Sequence, residues 1–314
     1  MTDLVTVIGG SGFLGRYVVQ QLAKAGHRVR VAVRHPELAL FLKPLGAVGQ
    51  IQIVQANVRY PASIARAVAG ASAVVNLVGI LFPTGRQTFD RVQAEGAQCI
   101  AAAAAAAQVK TLVHVSAIGA DAQSTAHYAR TKGEGEAHVR AAFPAAVILR
   151  PSLVFGPEDG FFNRFAGLAQ IAPVMPVICG DSRFQPVYVG DVAAAIAKAV
   201  DAPADFAGKT FELGGPHVWT FRDLLKYILK EIRIDRPLVD IPLPLARLKA
   251  AFLGLLPRPL LTLDQLKLLA RDNVVSPGAT GLKAFDIAPT PVEAIVPNYL
   301  VTYRPHGQFN RKTA

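Results

Sequence analysis

The sequence predicts an α/β fold in which a doubly wound parallel sheet is followed by a smaller, discontinuous C-terminal α/β domain. Apolar strands alternate with helical patterns through the first half of the chain, as they do in parallel sheets whose strands are joined by helices. A glycine-rich turn links the first strand to the first helix. Beyond Pro151 the alternation becomes irregular and Gly and Pro become frequent, which indicates a second domain of different construction.

The turn after the first strand is typical of a Rossmann-type dinucleotide site. An apolar strand at residues 4–8 enters a glycine turn, and helical spacing follows as far as Ala25. Gly9 suits the tight turn, Gly12 admits a pyrophosphate and Gly15 lets the helix pack on the strand. The phosphates would meet free N–H groups at the helix N-terminus, whereas an ordinary strand-to-helix turn is the alternative. The candidate cofactor contacts in this stretch are Gly9, Ser11, Gly12, Phe13, Leu14, Gly15 and Arg16.

The end of the second strand, residues 28–33, indicates which dinucleotide is bound. A protein that prefers NAD places Asp or Glu about 20 residues beyond the glycines, where it binds the ribose 2′-hydroxyl. This chain has Arg34 at that junction and Arg16 just after the glycine turn. Both guanidinium groups could pair with a 2′-phosphate, so we expect NADP(H). The alternative is two solvated surface arginines.

Further strands complete the predicted sheet at 51–55, 73–77, 111–115 and 146–150. The fourth strand ends in small residues that let a cofactor ribose lie close, which makes Val78 a candidate contact. A helix at 88–107 contains seven consecutive alanines. Alanine is the best helix former and packs closely, so this stretch predicts a buried or dimer-facing helix and not a linker.

Tyr128 and Lys132 form a Tyr-x-x-x-Lys motif at the start of the helix after the fifth strand. Residues four apart share a helix face, so the phenol and the ammonium are expected in the same cleft. The ammonium would favour the phenolate and bind the nicotinamide ribose, and Tyr128 could exchange the proton that accompanies hydride transfer. Among the seven tyrosines only Tyr128 has a lysine four residues on, which argues against a chance match.

These motifs resemble those of known families. The glycine spacing, with Phe13-Leu14 between the last two glycines, is similar to that of the extended and atypical short-chain dehydrogenases/reductases. Together with it, the segments YARTK, RPSLVFGPEDGFFNRF, QPVYVGDVA and LLTLDQLKLLARDNVVS resemble the NADPH-binding accessory subunits of respiratory complex I and their bacterial homologues. The resemblance covers nearly the whole chain. It implies tightly held NADPH in a structural role, with complex I subunits as partners.

The resemblance also implies roles for individual residues. Asn57 and Val58 would meet the adenine, and Ser116 and Pro151 would lie beside the nicotinamide. Ser116, Tyr128 and Lys132 would then be the catalytic set. Active members of the superfamily have consecutive Ser or Thr residues at the end of the fifth strand, but here Ser116 is followed by Ala117 and Ile118. This departure leaves cofactor binding intact and puts turnover in doubt.

The C-terminal half predicts a discontinuous second domain. Helical patterns occur at 191–200 and after the candidate N-caps Thr220 and Thr262, and a strand is expected at 209–213. We expect a cofactor domain at 1–159 to which 186–215 returns, a smaller substrate or partner domain at 160–185 and 216–300, and a tail at 301–314.

Composition and net charge limit the kinds of partner and the cellular location that we expect. The net charge of +11 favours anionic partners, which include cofactor phosphates and acidic lipid headgroups. The basic residues are scattered without a nucleic-acid motif, so nucleic acid is not expected. The two cysteines and the histidines show no ligand spacing, which predicts no metal and no disulfide. A strand beginning by Leu4 and short apolar runs predict neither a signal peptide nor a transmembrane helix, hence a cytoplasmic protein.

The stretch 243–261 has two interpretations. Apolar residues recur at helical spacing, with Arg247, Lys249 and Arg258 nearby and prolines at both ends. It is either a helix packed into the second domain or an interfacial helix with its apolar side in lipid. The second would make the chain peripheral on the cytoplasmic face of a bacterial inner membrane.

Two functions follow from these patterns. The preferred one is a protein that holds NADPH in a structural or assembly role linked to respiratory complex I. The alternative is an active NADPH-dependent oxidoreductase or epimerase acting on an apolar, isoprenoid-like or sugar-nucleotide substrate. The missing hydroxyls after Ser116 favour the first, whereas Tyr128 and Lys132 favour the second.

Overall fold

A computed structural model describes residues 3–253, 262–305 and 307 of the chain. The chain divides into two compact units. The first unit comprises Met1–Pro151, Val189–Leu213 and Ser276–Ala288, and the second comprises Ser152–Tyr188, Gly214–Val275 and Pro289–Ala314. Both units are discontinuous in sequence.

The described strands, in chain order, are β1 (Leu4–Ile8), β2 (Arg28–Val33), β3 (Ile51–Gln55), β4 (Ala73–Asn76), β5 (Thr111–Val115), β6 (Val147–Pro151), β7 (Val154–Phe155), β8 (Met175–Val177), β9 (Arg183–Phe184), β10 (Val187–Tyr188), β11 (Thr210–Leu213), β12 (Trp219–Thr220) and β13 (Leu238–Asp240). Seven of them form one parallel sheet in the order β11-β6-β5-β4-β1-β2-β3. The chain leaves β1 toward β2 and β3 on one side and continues on the other side from β4. This reversal confirms the predicted doubly wound, Rossmann-type sheet.

The described α-helices are α1 (Phe13–Lys24), α2 (Pro61–Val68), α3 (Glu95–Ala106), α4 (His127–Ala142), α5 (Phe162–Ile171), α6 (Val189–Asp201), α7 (Pro203–Phe206), α8 (Phe221–Ile232), α9 (Leu243–Leu253), α10 (Leu263–Leu269) and α11 (Val292–Leu300). Helices α1 and α6 pack together on one face of the large sheet, and α2, α3 and α4 pack on the other. Because both faces are covered, the central strands are buried along most of their length. Val5, Val7 and Val31 illustrate this, since all three are fully buried.

The alanine-rich helix α3 buries one face and exposes the other. Ala97, Ala101 and Ala104 are buried, whereas Ala102 and Ala105 are exposed. Small residues let α3 and α4 approach closely: a Cβ atom on Gly135 of α4 would lie 2.5 Å from the Gln93 carbonyl oxygen. The run of alanines therefore serves helix packing inside the first unit.

The helix expected at 88–107 is divided. Asp90–Ala94 forms a π-helical turn, and the α-helical part starts at Glu95. The side chain of Gln93 lies in this turn, donates from Nε2 to the Ile80 carbonyl (2.7 Å) and accepts from Thr131 Oγ1 (3.1 Å). The widened turn thus joins the loop after β4 to helix α4, which hydrophobic periodicity alone could not predict.

Residues 276–288 belong with the large sheet, although the sequence placed them in the second domain. The Thr280 carbonyl accepts from the Glu212 N–H at 3.0 Å, so the segment runs beside β11. Phe285, in the 3-10 helix Leu282–Phe285, stacks on Phe206 with ring centroids 4.5 Å apart and meets Phe211 at 4.7 Å. These aromatic contacts hold the segment in the first unit.

The second unit is built from short strand pairs and helices. β7 pairs with β10, β8 with β13, and β9 with β12. Its core joins α5, α8 and α11, and a cluster of aromatic rings surrounds Phe221, whose ring lies 5.5 Å from that of Phe165. The predicted N-caps are confirmed, because Thr220 Oγ1 accepts from Asp223 N (3.0 Å) and Thr262 forms a capping box with Gln265.

Helix α9 covers the first part of the 243–261 stretch, and residues 254–261 lie outside the described ranges. Within the described ranges no helix combines the length and the apolar character needed to cross a membrane.

Candidate functional site

A cleft of about 240 Å³ opens in the first unit at the carboxyl ends of β1 and β4. This is the point where the strand order reverses, and parallel α/β sheets bind ligands at such points. Of the residues predicted from sequence, those lining the cleft are Gly9, Ser11, Gly12, Arg34, Asn57, Val58 and Val78.

The glycine turn is shaped by contacts that exclude side chains. Gly9 has φ +84°, in the left-handed region that favours glycine, and accepts from the Gly12 N–H at 3.2 Å. A Cβ atom on Gly15 would lie 2.5 Å from the carbonyl carbon of Gly10, and one on Gly10 would lie 2.8 Å from Val31 Cγ1. Gly10 is therefore a structural requirement that the sequence analysis missed.

Helix α1 starts directly at the cleft. Gly12 is its N-cap and supplies no side-chain cap, so the first N–H groups of the helix remain for a ligand. Phe13, Leu14 and Gly15 form the first turn of α1 and do not line the cleft with their side chains. The guanidinium of Arg16 lies 5.0 Å from the centre of the Phe41 ring, so Arg16 also lies outside the cleft lining.

Arg34 follows β2 at the mouth of the cleft. Its guanidinium donates to Gln87 Oε1, and its carbonyl accepts from Gln55 Nε2 at 3.4 Å. Gln87 also lines the cleft and was not predicted. It orients the Arg34 side chain from the loop after β4, a contact between distant parts of the sequence.

The turn after β3 is held by its own polar groups. Asn57 Oδ1 accepts from the Arg59 N–H (3.1 Å), and the Asn57 N–H donates to Ser63 Oγ (3.0 Å). Val58, next in the turn, faces α3, where a Cβ atom on Gly96 would lie 3.1 Å from Val58 Cγ2. Asn57 therefore shapes this wall of the cleft with its side-chain oxygen.

A buried polar pair orders the wall formed by β4. Asn76 Oδ1 accepts from the Val78 N–H (3.0 Å), so its amide nitrogen faces His114 and donates to Nδ1 (2.9 Å). Burial, with Lys132 and Arg140 nearby, lowers the pKa of His114 to about 3, so the ring is neutral. Neither residue was predicted, although a polar residue within each apolar strand was a signal that could have identified them.

Lys132 lies in the interior beside the far end of the cleft. Its Nζ donates to the Val115 carbonyl at 3.2 Å, and a Cβ atom on Gly79, which lines the cleft, would lie 3.4 Å from that nitrogen. Burial lowers the pKa of Lys132 from 10.5 to about 8, while Glu136 opposes the shift. The ammonium thus lies where it could donate to a ligand that extends past Gly79.

Tyr128 lies one helical turn before Lys132 on α4 and packs edge-on against Phe89, with ring centroids 5.9 Å apart. Burial raises the pKa of Tyr128 from 10.0 to about 12. Burial therefore acts against the phenolate that we expected the Lys132 ammonium to favour, and that expectation stays a prediction.

Ser116 and Pro151 end neighbouring strands of the sheet. The Ser116 N–H donates to the Leu149 carbonyl (2.7 Å), and the Ile118 N–H donates to the Pro151 carbonyl (3.1 Å). Ser116 Oγ is buried and, within the described ranges, has no hydrogen-bond partner. A buried hydroxyl without a partner is costly, which points to a ligand group as its acceptor or donor.

A buried ion network lies behind Lys132. Glu136 is only 1% exposed and accepts from Arg150 Nε (2.8 Å) and Nη2 (2.7 Å). Arg140 also donates to Glu136 (3.2 Å), and Glu212 lies 3.6 Å from Arg150. The sequence analysis did not identify this network, which joins α4 to β6 and β11 immediately before Pro151.

Taken together, these groups fit a dinucleotide. The glycine turn and the uncapped start of α1 suit phosphates, and the small wall at Val78-Gly79 suits a ribose. At the other end lie the Lys132 ammonium and the Ser116 hydroxyl, which has no hydrogen-bond partner among the described residues. When bound, a nicotinamide cofactor would supply hydride chemistry at that end.

Comparison with known proteins agrees with this fit. Residues 9–163 match a family described as NAD(P)H-binding, so the first unit is an NAD(P)H-binding domain. The chain is 35% identical to the mitochondrial NADH dehydrogenase [ubiquinone] 1 alpha subcomplex subunit 9 of Arabidopsis thaliana, over 97% of this chain and 79% of that protein. It is also 35% identical over 191 residues to a ceramide reductase of Caulobacter vibrioides, an overlap covering 61% of this chain and 59% of that protein.

A solved structure shows the same fold. The NADPH-dependent quinone oxidoreductase of Escherichia coli, in complex with NADPH, superimposes with a TM-score of 0.74 at 22% identity and covers 94% of this chain and 99% of its own. At this identity the likeness concerns the fold alone.

The position of Lys132 predicts an unusual pH dependence of stability. Its folded pKa of about 8 lies below the ordinary 10.5, so the cost of burying the ammonium is complete below pH 8 and disappears as pH rises to 10.5. Lys132→Met should therefore stabilise the nucleotide-free protein at pH 7, by roughly 1–3 kcal/mol, and this advantage should vanish by about pH 10.5. Chemical denaturation across this pH range measures the effect.

Lys110→Met is the matched control, because Lys110 is exposed just before β5. It should leave stability unchanged at every pH. A Lys132→Met protein that is less stable than the unmodified protein at pH 7 would contradict the buried-charge account.

Proposed function

Because the chain belongs to the family of the NADH dehydrogenase [ubiquinone] 1 alpha subcomplex subunit 9, we propose that it holds NADPH in a structural or assembly role within the respiratory NADH dehydrogenase complex. The observation that supports this most directly is a cleft built for a dinucleotide whose reactive end lacks a second hydroxyl. In this proposal the first unit holds the cofactor and the second unit meets the partners or substrate.

The choice of NADPH over NADH rests on Arg34. No acidic residue lines the described part of the cleft where a ribose 2′-hydroxyl would be bound. Instead Arg34 lies there, oriented by Gln87, and Arg59 lines the same cleft. Two guanidinium groups favour a 2′-phosphate, because charge-assisted hydrogen bonds to phosphate are stronger than neutral ones. Arg16 was predicted as a second phosphate partner, but its guanidinium lies over the Phe41 ring, so we do not include it among the groups that would bind the 2′-phosphate.

The proposal that the chain holds NADPH without consuming it rests on the residues at the nicotinamide end of the cleft. Lys132 and Ser116 could bind the ribose and the ring of the cofactor. The residues that follow Ser116 are Ala117 and Ile118, which have no hydroxyl to polarise a substrate carbonyl. Losing one such donor costs about 10²–10³ in rate, so bound NADPH would be consumed very slowly.

The second candidate function is an active NADPH-dependent oxidoreductase on an apolar substrate. Tyr128 and Lys132 are both present on α4, and the similarity to a ceramide reductase extends over 191 residues. A protonated Tyr128 could act as a general acid for a carbonyl oxygen. This function requires Ser116 alone to do the work that two hydroxyls do in active members of the superfamily.

The proposed location is the surface of a membrane beside the respiratory complex. Helix α9 buries the small residues Ala246 and Ala250, whereas Leu245 is 46% and Leu248 is 59% exposed. Arg247, between these leucines, is also exposed. Exposed leucines with an adjacent cation suit a lipid or partner surface better than water.

Cofactor choice can be tested by reversing one charge. Arg34→Asp should lower the affinity for NADPH by about one to two decades, because it removes a charge-assisted pair worth roughly 1.5–3 kcal/mol and adds repulsion. NADH affinity should change little. Calorimetric titration of both cofactors measures this, and Arg28→Asp makes the same charge change at the other end of β2 as a control. Equal affinities of the unmodified protein for NADPH and NADH would refute the proposed preference.

Holding a cofactor can be distinguished from using it at Tyr128. We expect Tyr128→Phe to leave NADPH occupancy unchanged, because the phosphate and ribose contacts lie elsewhere. Both proteins should oxidise NADPH with carbonyl substrates far more slowly than ordinary enzymes do. Turnover at about 1–10³ s⁻¹ in the unmodified protein, lost in Tyr128→Phe, would instead establish a working reductase.

Assembly can be tested in detergent extracts of host membranes. The tagged chain should comigrate with the respiratory complex on native gels, and NADPH should be released from it on denaturation. Leu245→Gln combined with Leu248→Gln should weaken membrane retention without lowering the melting temperature, since both side chains are exposed. The control is the pair Leu38→Gln and Leu40→Gln, which are 71% and 55% exposed in the first unit. A chain found only in the soluble fraction would argue against this location.

A further inference from the structure

Five arginines surround the mouth of the dinucleotide cleft. We call them the arginine rim: Arg34, Arg59, Arg66, Arg86 and Arg91. They line two open hollows on either side of Tyr60, one with Arg34 and Arg66 and the other with Arg59, Arg86 and Arg91. Arg34 and Arg59 also line the cleft itself, so the rim is continuous with the binding site.

The rim is not neutralised by the protein. Among the described residues, no carboxylate lies within 4.0 Å of any of the five guanidinium groups. Glu95 lies in the same hollow without pairing at that distance, and Asp90 is paired with His127 at 3.0 Å. Four rim arginines are exposed and Arg59 is half-buried over the Tyr60 ring.

This arrangement is not explained by stability of the fold. Guanidinium groups gathered around one opening repel one another, and unpaired surface charges contribute little in return. Elsewhere in the first unit the arginines Arg140 and Arg150 are paired with Glu136. Five arginines without a carboxylate partner among the described residues are thus gathered around the opening through which an anionic ligand would enter.

We propose that the arginine rim steers the dinucleotide into the cleft. In this way it selects NADPH over NADH during association, before the Arg34 guanidinium contacts the 2′-phosphate. The inference rests on the proposed function, since it concerns the entry of the same cofactor. A cleft lined by charge of one sign raises the local concentration and the association rate of an oppositely charged ligand. The 2′-phosphate adds a charge of about −1.5 to −2, which roughly doubles the charge on which the rim acts.

The test is stopped-flow association of NADPH and NADH, followed by nucleotide fluorescence, with the full chain freed of nucleotide. The variant Arg66→Gln/Arg86→Gln/Arg91→Gln removes three rim charges and keeps the two arginines that line the cleft. Its matched control is Lys24→Gln/Arg28→Gln/Lys110→Gln, which removes three exposed charges at the end of α1 and the starts of β2 and β5. These lie at the opposite edge of the same sheet.

At an ionic strength of about 0.01 M, where charges act over about 30 Å, we expect the rim variant to bind NADPH about five- to tenfold more slowly. The rate for NADH should fall about two- to threefold, and both dissociation rates should change by less than twofold. The control variant should match the unmodified protein. At about 1 M salt the difference between variants should disappear, because charges are then screened within about 3 Å.

An equal loss in the rim and control variants would overturn the inference, because it would reflect net charge alone. A slower association of NADPH that persists at high salt would also overturn the inference, as would a change confined to the dissociation rate. If the rim variant does not fold, the inference is tested on the unmodified protein. Its association rate constant should then fall more steeply with salt concentration for NADPH than for NADH. Equal salt dependence for the two nucleotides would reject steering. Failure of the unmodified protein to bind either nucleotide would reject the proposed function itself, and with it this inference.

Discussion

The close approach of α1 to the glycine turn is the constraint on which the site depends. Because a Cβ atom on Gly15 would lie 2.5 Å from the Gly10 carbonyl carbon, the helix can start against the turn only when residue 15 is glycine, and a Cβ atom on Gly10 would itself lie 2.8 Å from Val31 Cγ1. That contact fixes the direction of α1 and points its uncapped N–H groups into the cleft. The left-handed Gly9 completes the turn after β1. A phosphate bound at this turn would thus be held by backbone groups, without a charged side chain.

The opposite end of the cleft is arranged by buried polar groups instead. Asn76 accepts from the Val78 N–H while it donates to the neutral His114, and Lys132 donates to the Val115 carbonyl. Burying an ammonium is costly, and the lowered pKa of Lys132 expresses that cost. Because Lys132 is present in spite of this penalty, we infer that a bound ligand interacts favourably with its ammonium. The bound cofactor would stabilise the fold by mass action and offset the loss.

Much of the first unit could be predicted because its strands are buried on both faces and its helices are amphipathic. The bounds predicted for β2, β3 and β5 are those observed. The two-residue strands β7, β9, β10 and β12 are too short for any periodicity, so the interior of the second unit could not be predicted. The roles of Gln87 and of the Asn76–His114 pair were not predicted, for a different reason. Asn76 lies directly opposite His114 because of strand register. Gln87 meets Arg34 because a loop folds toward the end of β2, and a single sequence specifies neither contact.

In the proposed function, the chain combines the groups needed to retain a dinucleotide with an incomplete set for consuming it. Retention uses groups distributed along the whole cleft, from the glycine turn to Lys132, so several contacts would have to be lost before the cofactor is released. Chemistry depends on a few atoms at one end, where Ala117 follows Ser116. Loss of a single hydroxyl there removes rate without removing affinity, because a transition-state contact contributes to binding of the ground state only weakly. A protein that evolves from an enzyme into a structural subunit can lose turnover in this way and keep its cofactor as part of its fold.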